Sequence, residues 1–510
     1  MGNEAGAAGA FCGRAVAIQI ATRHVGLGWY AAAHNSANRQ FSMVLPSVFF
    51  RLLLCAGLLG ASSLAGAFDA PPADSLASLA LVSAGPSGRL GLPCQAPPVG
   101  HALSLPEVVD HALCANPQTR EAWANARYQA AQLGVAKAGW LPSLTGTLSG
   151  SRNHASGGTT KGTYGLAAAN LSASWLIYDF GGREAAVENA AQVLAAANAT
   201  QDATVQTVFL SAVQSWSQWF AAQAAVDAAK ESEKASQESL KAAERRYEVG
   251  TATPADKLQA RTAWSQAVLT RIKAEGDERS ARGVLMNALG LAADDGLAIA
   301  LPPPLKPPPG FEADLHRIIA EALEARPDLA AAEAQVKAAR AAVAQAKAAG
   351  MPSLSLTAGA GENHSGLADA SRSDNIGVSL TVPLFTGHAS TYRVRAAEEQ
   401  VAAREAQRDR IARQVSLDVW KAYHALVTAT HSVQASTDLL QSAAQSRRVA
   451  KGRFDAGVGG ILDLLNAESA LASARQQDVQ ARQNWLIAKF TLAQAMGRLS
   501  FSDLDMGGKP

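Results

Sequence analysis

RYEVGTATPADKL, residues 246–258, recurs in altered form as RFDAGVGGILDLL, residues 453–465. In each copy an aromatic residue precedes a glycine by three positions, and an aspartate follows that glycine by six. The copies lie 207 residues apart (454 minus 247). Glycine suits the end of a helix, and the residues that follow it suit the start of another. We therefore expect each copy to join two long helices, and the chain to contain two tandem repeats.

Other short patterns repeat in register with these tips. ALCANP at 112–117 recurs as ALEARP at 322–327, and LPSL at 141–144 recurs as MPSL at 351–354, both at an offset of 210. The fall from 210 to 207 indicates that the second copy lost three residues in the stretch between, where strands and a surface loop are expected.

Long stretches without helix breakers predict the helices. We expect helices from near Ser104 to about Lys137, from Arg183 to Tyr247 and from Ser390 to Phe454, with returning helices over about 254–289 and 461–496. Helices of that length are not globular cores, so coiled-coil-like packing of each long helix against its returning helix is expected.

The stretch between the helices changes period. Apolar residues alternate with small or polar ones at Ile376, Val378, Leu380, Val382 and Leu384, and similarly on a partner segment at Leu354, Leu356, Ala358 and Ala360. The first repeat shows the same alternation less cleanly, at Leu171, Ala173, Trp175 and Ile177. Each repeat therefore predicts about two strands of roughly ten residues with one apolar face.

Strands of about 9–11 residues suit a bilayer crossing in a tilted barrel, whereas the alternative is the edge of a soluble β-sandwich. Aromatic residues gather at the helix-facing strand ends, where an interfacial girdle would lie: Trp140, Trp175, Tyr178, Phe180 and Phe385. Four strands cannot close a barrel, and unpaired backbone groups in lipid cost several kcal/mol each. Strands that span a membrane would thus compel oligomerisation, and three chains would supply about twelve.

The N-terminal region has the pattern of a secretory signal. Arg51 precedes the apolar run 52–60, and Ala65-Gly66-Ala67 offers a cleavage site before Phe68. The natural start would be Met43, which leaves residues 1–42 as an over-extended start or an unusually long leader. A lipid anchor at Cys55 is the alternative, and the short apolar run before it argues against that.

The chain divides into six predicted segments. They are a leader and signal peptide (1–67), an extended segment (68–103), a first repeat (104–299), a Pro-rich linker (300–311), a second repeat (312–497) and a C-terminal tail (498–510). A disulfide between Cys94 and Cys114 would tie the extended segment to the first helix in an oxidising compartment, and two separate thiols are the alternative.

Composition and motifs exclude several function classes. The net charge of +2 offers no basic surface for nucleic acid. The sequence has no P-loop, no H-E-x-x-H, no G-x-S-x-G and no Cys/His spacing typical of zinc. We therefore expect no enzyme, no cofactor and no metal site, and we explain the repeat-related His154 and His364 by common ancestry of the two repeats.

With these parts placed, residues 104–497 resemble the TolC-type family of outer-membrane channels. The resemblance rests on the paired Tyr/Phe-x-x-Gly-x5-Asp-x-Leu tips, the paired Leu/Met-Pro-Ser-Leu joints, and the joint YDFGGR at 178–183. It implies an α+β membrane protein built from two tandem repeats of coiled-coil hairpins and β-hairpins. Three chains would form a homotrimer with a 12-stranded β-barrel in outer-membrane lipid, continued by a periplasmic α-barrel.

The tip aspartates have two compatible interpretations. Thr253-Pro254-Ala255-Asp256 has the pattern of a helix N-cap followed by an acid in the first turn. In a trimer, each aspartate would also form a ring of carboxylates, which attracts cations at a constriction. We therefore predict that Asp463→Ala lowers the cation selectivity of the open channel.

The resemblance assigns the closed periplasmic entrance to the tips, whose residues are Tyr247, Gly250, Asp256, Phe454, Gly457, Asp463 and Asn466. It places the inner tip at the copy containing Asp463. Asn466 stands where family members can carry a second acid, Phe454 where a tyrosine hydroxyl could link the tips, and Gly459 where an arginine could. The latch at this entrance is therefore expected to be weaker or to be built differently.

The resulting hypothesis is a passive exit duct. By resemblance, it would work with a periplasmic adaptor (membrane-fusion) protein and an inner-membrane ABC transporter or other pump. Type I protein secretion is favoured because no convincing lipid-anchor cysteine is present, and drug or small-molecule efflux is the alternative. A structural periplasmic coiled-coil scaffold with a soluble β cap is the alternative from another class.

Overall fold

The computed structural model describes residues 102–157, 162–296, 298–300, 314–366 and 368–500. All of them lie in one compact unit, Pro71–Pro510. Outside the described residues lie the leader and signal peptide, nearly all of the extended segment with Cys94, nearly all of the Pro-rich linker, and residues 501–510.

Each repeat contains two short helices, two strands and a long helical hairpin. The first repeat consists of α1 (Leu105–Ala115), α2 (Pro117–Ala138), β1 (Ser143–Ala155), β2 (Gly162–Tyr178), α3 (Gly182–Glu248) and α4 (Pro254–Ala288). The second consists of α5 (Leu315–Ala325), α6 (Pro327–Ala348), β3 (Ser353–Ser365), β4 (Ala368–Thr381), α7 (Ala389–Asp455) and α8 (Ile461–Ala495).

The bounds of corresponding helices and strands in the two repeats differ by the same two offsets as the sequence patterns do. Those of α1, α2 and β1 recur 210 positions later in α5, α6 and β3, and those of α3 and α4 recur 207 later in α7 and α8. The connection between the paired strands falls from six positions, 156–161, to two, 366–367, and one of these four positions is accounted for by β4, which begins one position earlier than β2 does at the 207 offset. The shortening therefore accompanies a hairpin loop, where the sequence predicted it.

The single helix predicted from Ser104 to Lys137 is wrong, because the chain breaks at Asn116. A residue before proline is driven from the helical region, and Asn116 has φ −64° and ψ 129° before Pro117. Its side chain accepts a hydrogen bond from the Gln118 amide at 2.9 Å and donates to the Ala288 carbonyl at 3.1 Å. The same break precedes Pro327 in the second repeat.

The two long helices, α3 and α7, have 67 residues each, or about 100 Å at 1.5 Å per residue. Helix α3 packs against α4, and α7 against α8, so that two antiparallel hairpins form as predicted. Helix α8 also packs along α3 and joins the hairpins side by side. Within the described part of the chain, no helix has the length and hydropathy to cross a bilayer.

The main core lies midway along α3 and α7, where α4 and α8 end and where α1 and α5 pack against the long helices. Its fully buried side chains include Val108, Phe209, Trp216, Leu285 and Phe490. A smaller cluster lies at the hairpin tips and is described below.

The four strands form one antiparallel sheet in the order β1-β2-β3-β4. Their lengths are 13, 17, 13 and 14 residues, longer than the roughly ten predicted, because the polar strand ends continue the ladder beyond the apolar alternation. Val382 and Leu384, predicted within a strand, follow the end of β4, where Pro383 supplies no backbone N–H.

The register places most of the apolar strand residues on one face of the sheet and most of the small polar residues on the other, although Leu166 and Leu176 lie on the polar face and the pair Glu362 and Arg372 on the apolar face. The apolar face carries Leu144, Leu148, Leu171, Trp175, Leu354, Leu356, Ile376, Val378 and Leu380. The polar face carries Ser143, Thr145, Ser172, Ser174, Ser355, Thr357, Asn375, Gly377 and Ser379. The apolar face is uncovered in the single chain, with Leu148 90% and Ile376 79% exposed.

Candidate functional site at the helix tips and strand joints

Both tips reverse the chain through a glycine in the left-handed region. Gly250 has φ 76° and Gly457 has φ 80°, a conformation that favours glycine. The amide of Thr251 donates to the Arg246 carbonyl at 2.8 Å, and the amide of Val458 donates to the Arg453 carbonyl at 3.0 Å. The paired glycines thus end α3 and α7 by the same hydrogen-bond pattern.

The first tip, residues 246–258, starts α4 at the N-cap that its sequence predicted, and this cap is a complete capping box. The Thr253 hydroxyl accepts from the Asp256 amide at 3.3 Å. The Asp256 carboxylate accepts from the Thr253 amide at 2.9 Å and from the Thr253 hydroxyl at 2.8 Å. These bonds, the backbone one most strongly, lower the pKa of Asp256. The carboxylate is therefore engaged in holding the helix start.

The second tip, residues 453–465, lacks this cap. The residue before α8 is Gly460, which has no side chain to accept from the helix amides. Asp463 and Asn466 are both exposed. Among the described residues, the Asp463 carboxylate has no hydrogen-bond or ion-pair partner, so the two repeat-related aspartates differ in availability.

The aromatic residues of the tips also differ. Tyr247 is 42% exposed, whereas its repeat counterpart Phe454 is only 4% exposed. Phe454 packs into a cluster with Leu240, Ala243, Ala260, Ile461 and Leu464, which come from both hairpins. The aromatic ring of the second tip is thus inserted between the hairpins, and that of the first tip is not.

Arg246 supplies a link that sequence reasoning missed. Its guanidinium carbon lies 3.9 Å from the centroid of the Phe454 ring, and its Nη2 donates to the Phe454 carbonyl. Phe454 lacks a hydroxyl, so the link between the tips is made through its ring and backbone. Arginine beside an aromatic in both tips was the signal available in the sequence.

Gly459, where the resemblance allowed an arginine, lies close against the last turn of α7. A Cβ placed there would lie 3.0 Å from the Arg453 Cβ and 3.1 Å from the Phe454 nitrogen. A side chain at Gly459 would thus fit only if neighbouring atoms moved by a few tenths of an ångström.

A buried carboxylate lies between the hairpins above the tips. Glu468 of α8 accepts from the Ser239 hydroxyl of α3 at 3.1 Å, and Arg447 Nη2 lies 3.8 Å from the same oxygen. Burial raises the pKa of Glu468, against the opposing effects of the Ser239 bond and of Arg447 and Lys451, and nearby Glu238 raises it further. Its other carboxylate oxygen has no hydrogen-bond partner in the described structure.

Four of the five predicted interface aromatics come together at the joint between β2 and α3. The Trp175 indole donates to the Trp140 carbonyl at 2.9 Å, and the Tyr178 and Phe180 rings meet edge to face at 4.8 Å. Phe385 occupies the corresponding joint of the second repeat and is 80% exposed. Each of the five side chains is exposed in the single chain.

Arg183 organises the first joint, a role that nothing in the sequence beyond the YDFGGR motif indicated. Its guanidinium donates to the carbonyls of Leu176 at 2.5 Å and Ile177 at 3.0 Å, and it lies 4.3 Å from the Trp140 ring centroid. Nε is 3.3 Å from Asp179 Oδ2, an ion pair without hydrogen-bond geometry. In the second repeat a hydroxyl contact of 3.3 Å between Thr386 and Ser390 replaces this network.

The remaining predicted residues carry less information. Cys114 is buried in α1, while Cys94 lies outside the described residues, so their disulfide stays a prediction. Within the described ranges, no group of three or more His, Cys, Asp or Glu side chains is placed to hold a metal ion.

Comparison with known proteins identifies the family. The sequence profile of the outer membrane efflux proteins matches residues 108–291 and 318–498. The chain is 31% identical over 409 residues to protein CyaE of Bordetella pertussis, covering 79% of this chain and 86% of CyaE. It is 26% identical to the antibiotic efflux pump outer membrane protein ArpC of Pseudomonas putida, covering 88% and 94%. It is also 26% identical to the alkaline protease secretion protein AprF of Pseudomonas aeruginosa, covering 59% and 63%.

The fold agrees with a solved channel. The CmeC outer membrane channel of Campylobacter jejuni superposes with a TM-score of 0.70 at 21% identity, covering 78% of this chain and 86% of CmeC. Two tandem helical hairpins with a four-stranded sheet, matched by the family profile over both repeats, are thus a TolC-like arrangement. The chain therefore belongs to the outer membrane efflux protein family, the TolC-type ducts of the Gram-negative outer membrane that extend into the periplasm.

Proposed function

We propose that three copies of this chain close a 12-stranded barrel in the outer membrane and continue it as a periplasmic helical tunnel. The observation that carries this proposal is the sheet. Its outer strands, β1 and β4, each have an unpaired edge within the described chain. Unpaired edges are not tolerated in lipid, so pairing β4 of one copy with β1 of the next is the closure that satisfies them.

The two faces of the sheet fit the two surroundings of such a barrel. The aliphatic face, with Leu148 and Ile376 nearly fully exposed, suits lipid hydrocarbon. The Ser, Thr, Asn and Gly of the other face suit a water-filled lumen. The aromatics around Trp140 and Trp175 lie at the helix-facing end of the sheet, where the membrane interface would be.

The second tip is proposed as the periplasmic entrance. Asp463 is exposed and has no partner in the described structure, whereas Asp256 is held in its capping box. Three Asp463 carboxylates around a constriction would favour cations. The carboxylate of Asp256 would contribute less, because the cap fixes it toward its own helix.

Reversal potentials in planar bilayers test this assignment. Asp463→Asn is expected to lower the cation preference of the purified channel, and Asp256→Asn is the matched control, because asparagine still accepts the cap hydrogen bonds. Equal reversal potentials for wild type and Asp463→Asn would count against the carboxylate ring. No detectable conductance from detergent-stable wild-type trimers would count against the duct itself.

For the cargo, we favour protein secretion of type I, with a periplasmic adaptor protein and an inner-membrane ABC transporter as partners. The likeness to AprF supports this, since that relative is a protease secretion protein by name. The likeness to ArpC, which covers more of both chains, supports the alternative of small-molecule efflux. On either proposal the chain is a passive duct and no enzyme.

A gene-deletion strain separates the two cargo classes. Loss of one or a few large proteins from the medium, with drug tolerance unchanged, is the result expected for secretion. Unchanged secretion with increased sensitivity to toxic small molecules would overturn the secretion proposal and favour efflux.

A further inference from the structure

The two tips share a sequence pattern but not an environment. Arg246 and Arg453 are repeat counterparts at the 207 offset, as are Tyr247 and Phe454. Arg246 contacts Phe454 across the hairpins through both its ring and its carbonyl. Arg453 is exposed and borders a groove of about 510 Å³ with Asp463 on its own hairpin. Among the described contacts, the arginine of the first tip thus contacts the aromatic residue of the second, whereas the arginine of the second tip does not contact that of the first.

Three attractions converge on the Arg246 guanidinium. It faces the ring of Phe454, whose π face is electron-rich. It donates to the Phe454 carbonyl, which lies in the last turn of α7. The carbonyl end of a helix carries partial negative charge, so a cation there is favoured by the helix dipole as well. A lysine would keep the charge but would lose the planar contact with the ring.

Burial of the Phe454 ring couples the Arg246 contact to the position of the second tip. The ring is 4% exposed in a cluster that joins Leu240 and Ala243 of the first hairpin to Ile461 and Leu464 of the second. The second tip cannot swing away from the first hairpin without exposing that ring to water and removing both partners from Arg246. The Arg246 guanidinium therefore adds to the resistance that burial of the Phe454 ring already offers to this movement of the second tip.

We propose that Arg246 is a positioning residue that holds the second tip against the first hairpin through Phe454, and so sets the resting width of the entrance. The statement that an entrance lies here rests on the proposed function. The contact itself does not, and it can be measured in the purified full chain whether or not the protein conducts.

Hydrogen exchange of the purified protein tests the contact. Arg246→Gln is expected to speed exchange of the 453–465 amides at least tenfold, and Arg246→Lys is expected to have an intermediate effect. The matched control is Arg453→Gln, which alters the repeat counterpart and is expected to change exchange at either tip less than twofold. Equal effects of Arg246→Gln and Arg453→Gln would overturn the proposal.

A double-mutant cycle separates the contact from general damage at the tip. Phe454→Leu keeps an apolar side chain but removes the ring. In that background, Arg246→Gln is expected to speed exchange by a clearly smaller factor than in wild type, because the ring contact is already absent. The same factor in both backgrounds would mean that Arg246 does not act through the Phe454 ring, and would overturn the proposal.

Bilayer conductance then tests the entrance. Arg246→Gln is expected to raise the single-channel conductance or the open probability relative to wild type, with an intermediate value for Arg246→Lys. A normal exchange result with no conductance from any variant would overturn the duct function while leaving the contact established. Faster exchange of the second tip with unaltered conductance would overturn the role of Arg246 at the entrance.

Discussion

Replacing Arg183 with alanine should open the joint at which β2 continues into α3. The substitution removes donors from the carbonyls of Leu176 and Ile177 and leaves the Asp179 carboxylate without its ion pair. A hydrogen bond from a charged group contributes about 1.5–3 kcal/mol, so loss of the two well-formed bonds costs about 3–6 kcal/mol. The third contact, to the Gly139 carbonyl at 3.5 Å, is too long to add much.

Hydrogen exchange of peptides from residues 171–190 measures this cost locally. A loss of about 3 kcal/mol corresponds to roughly a hundredfold or greater increase in exchange rate where local opening governs it. Ser390→Ala, at the repeat counterpart, removes only one hydroxyl contact and should change exchange of its own joint about fivefold or less. An increase of less than tenfold for folded Arg183→Ala would show that other groups hold the joint.

Three further predictions concern single residues. Glu468→Gln should strengthen the contact between the hairpins at neutral pH and remove part of its pH dependence. Burial raises the pKa of Glu468 in the folded protein above the ordinary 4.5, so the native contact gains stability as the pH falls through the folded-state pKa and loses that stability as the pH rises through it. Thr253→Ala should cost about 1 kcal/mol through loss of the cap, seen as about fivefold faster exchange in the first turn of α4. Gly290→Ala and Gly497→Ala should destabilise more than Gly250→Ala in thermal unfolding: all three have positive φ, but a Cβ at the first two would lie 2.7 and 2.8 Å from backbone oxygens.

Matched controls exist for each of these. Asp478→Asn alters a buried carboxylate of the same helix whose oxygens accept from Ser436 and Arg482, and it should not strengthen the contact between the hairpins, because both partners lie on its own hairpin. Thr262→Ala, on the exposed side of α4, should leave exchange of the first turn unchanged. Equal thermal shifts for Gly290→Ala and Gly250→Ala would contradict the predicted clash.

Much of the architecture could be predicted because it depends on local signals repeated twice. The long helices follow from stretches without breakers, and the N-cap of α4 follows from the Thr253-Pro254-Ala255-Asp256 pattern. The same reasoning failed at Asn116, where the helical pattern of the flanking residues concealed the effect of Pro117 on the residue before it. Strand lengths were underestimated, because polar residues pair in a ladder as well as apolar ones do.

The asymmetry of the tips could not be predicted from the repeat. Arg-Tyr at 246–247 and Arg-Phe at 453–454 look equivalent in sequence, and only the packing of α8 against α3 decides which ring is buried. The same holds for Glu468, whose burial depends on neighbours about 230 positions away in the chain, such as Ser239. Local pattern reasoning identifies the tips, whereas the partners of each side chain come from the tertiary fold.

The open sheet also shapes how the protein must be made. Under the proposed function, a newly exported protomer enters the periplasm with two unsatisfied strand edges and an uncovered aliphatic surface, both of which favour aggregation. Its maturation therefore depends on meeting sister chains, and the yield should fall when synthesis is scarce as well as when it is excessive. A copy with a damaged β4 edge would spoil every ring that it joins, so one defective allele would act dominantly over a sound one.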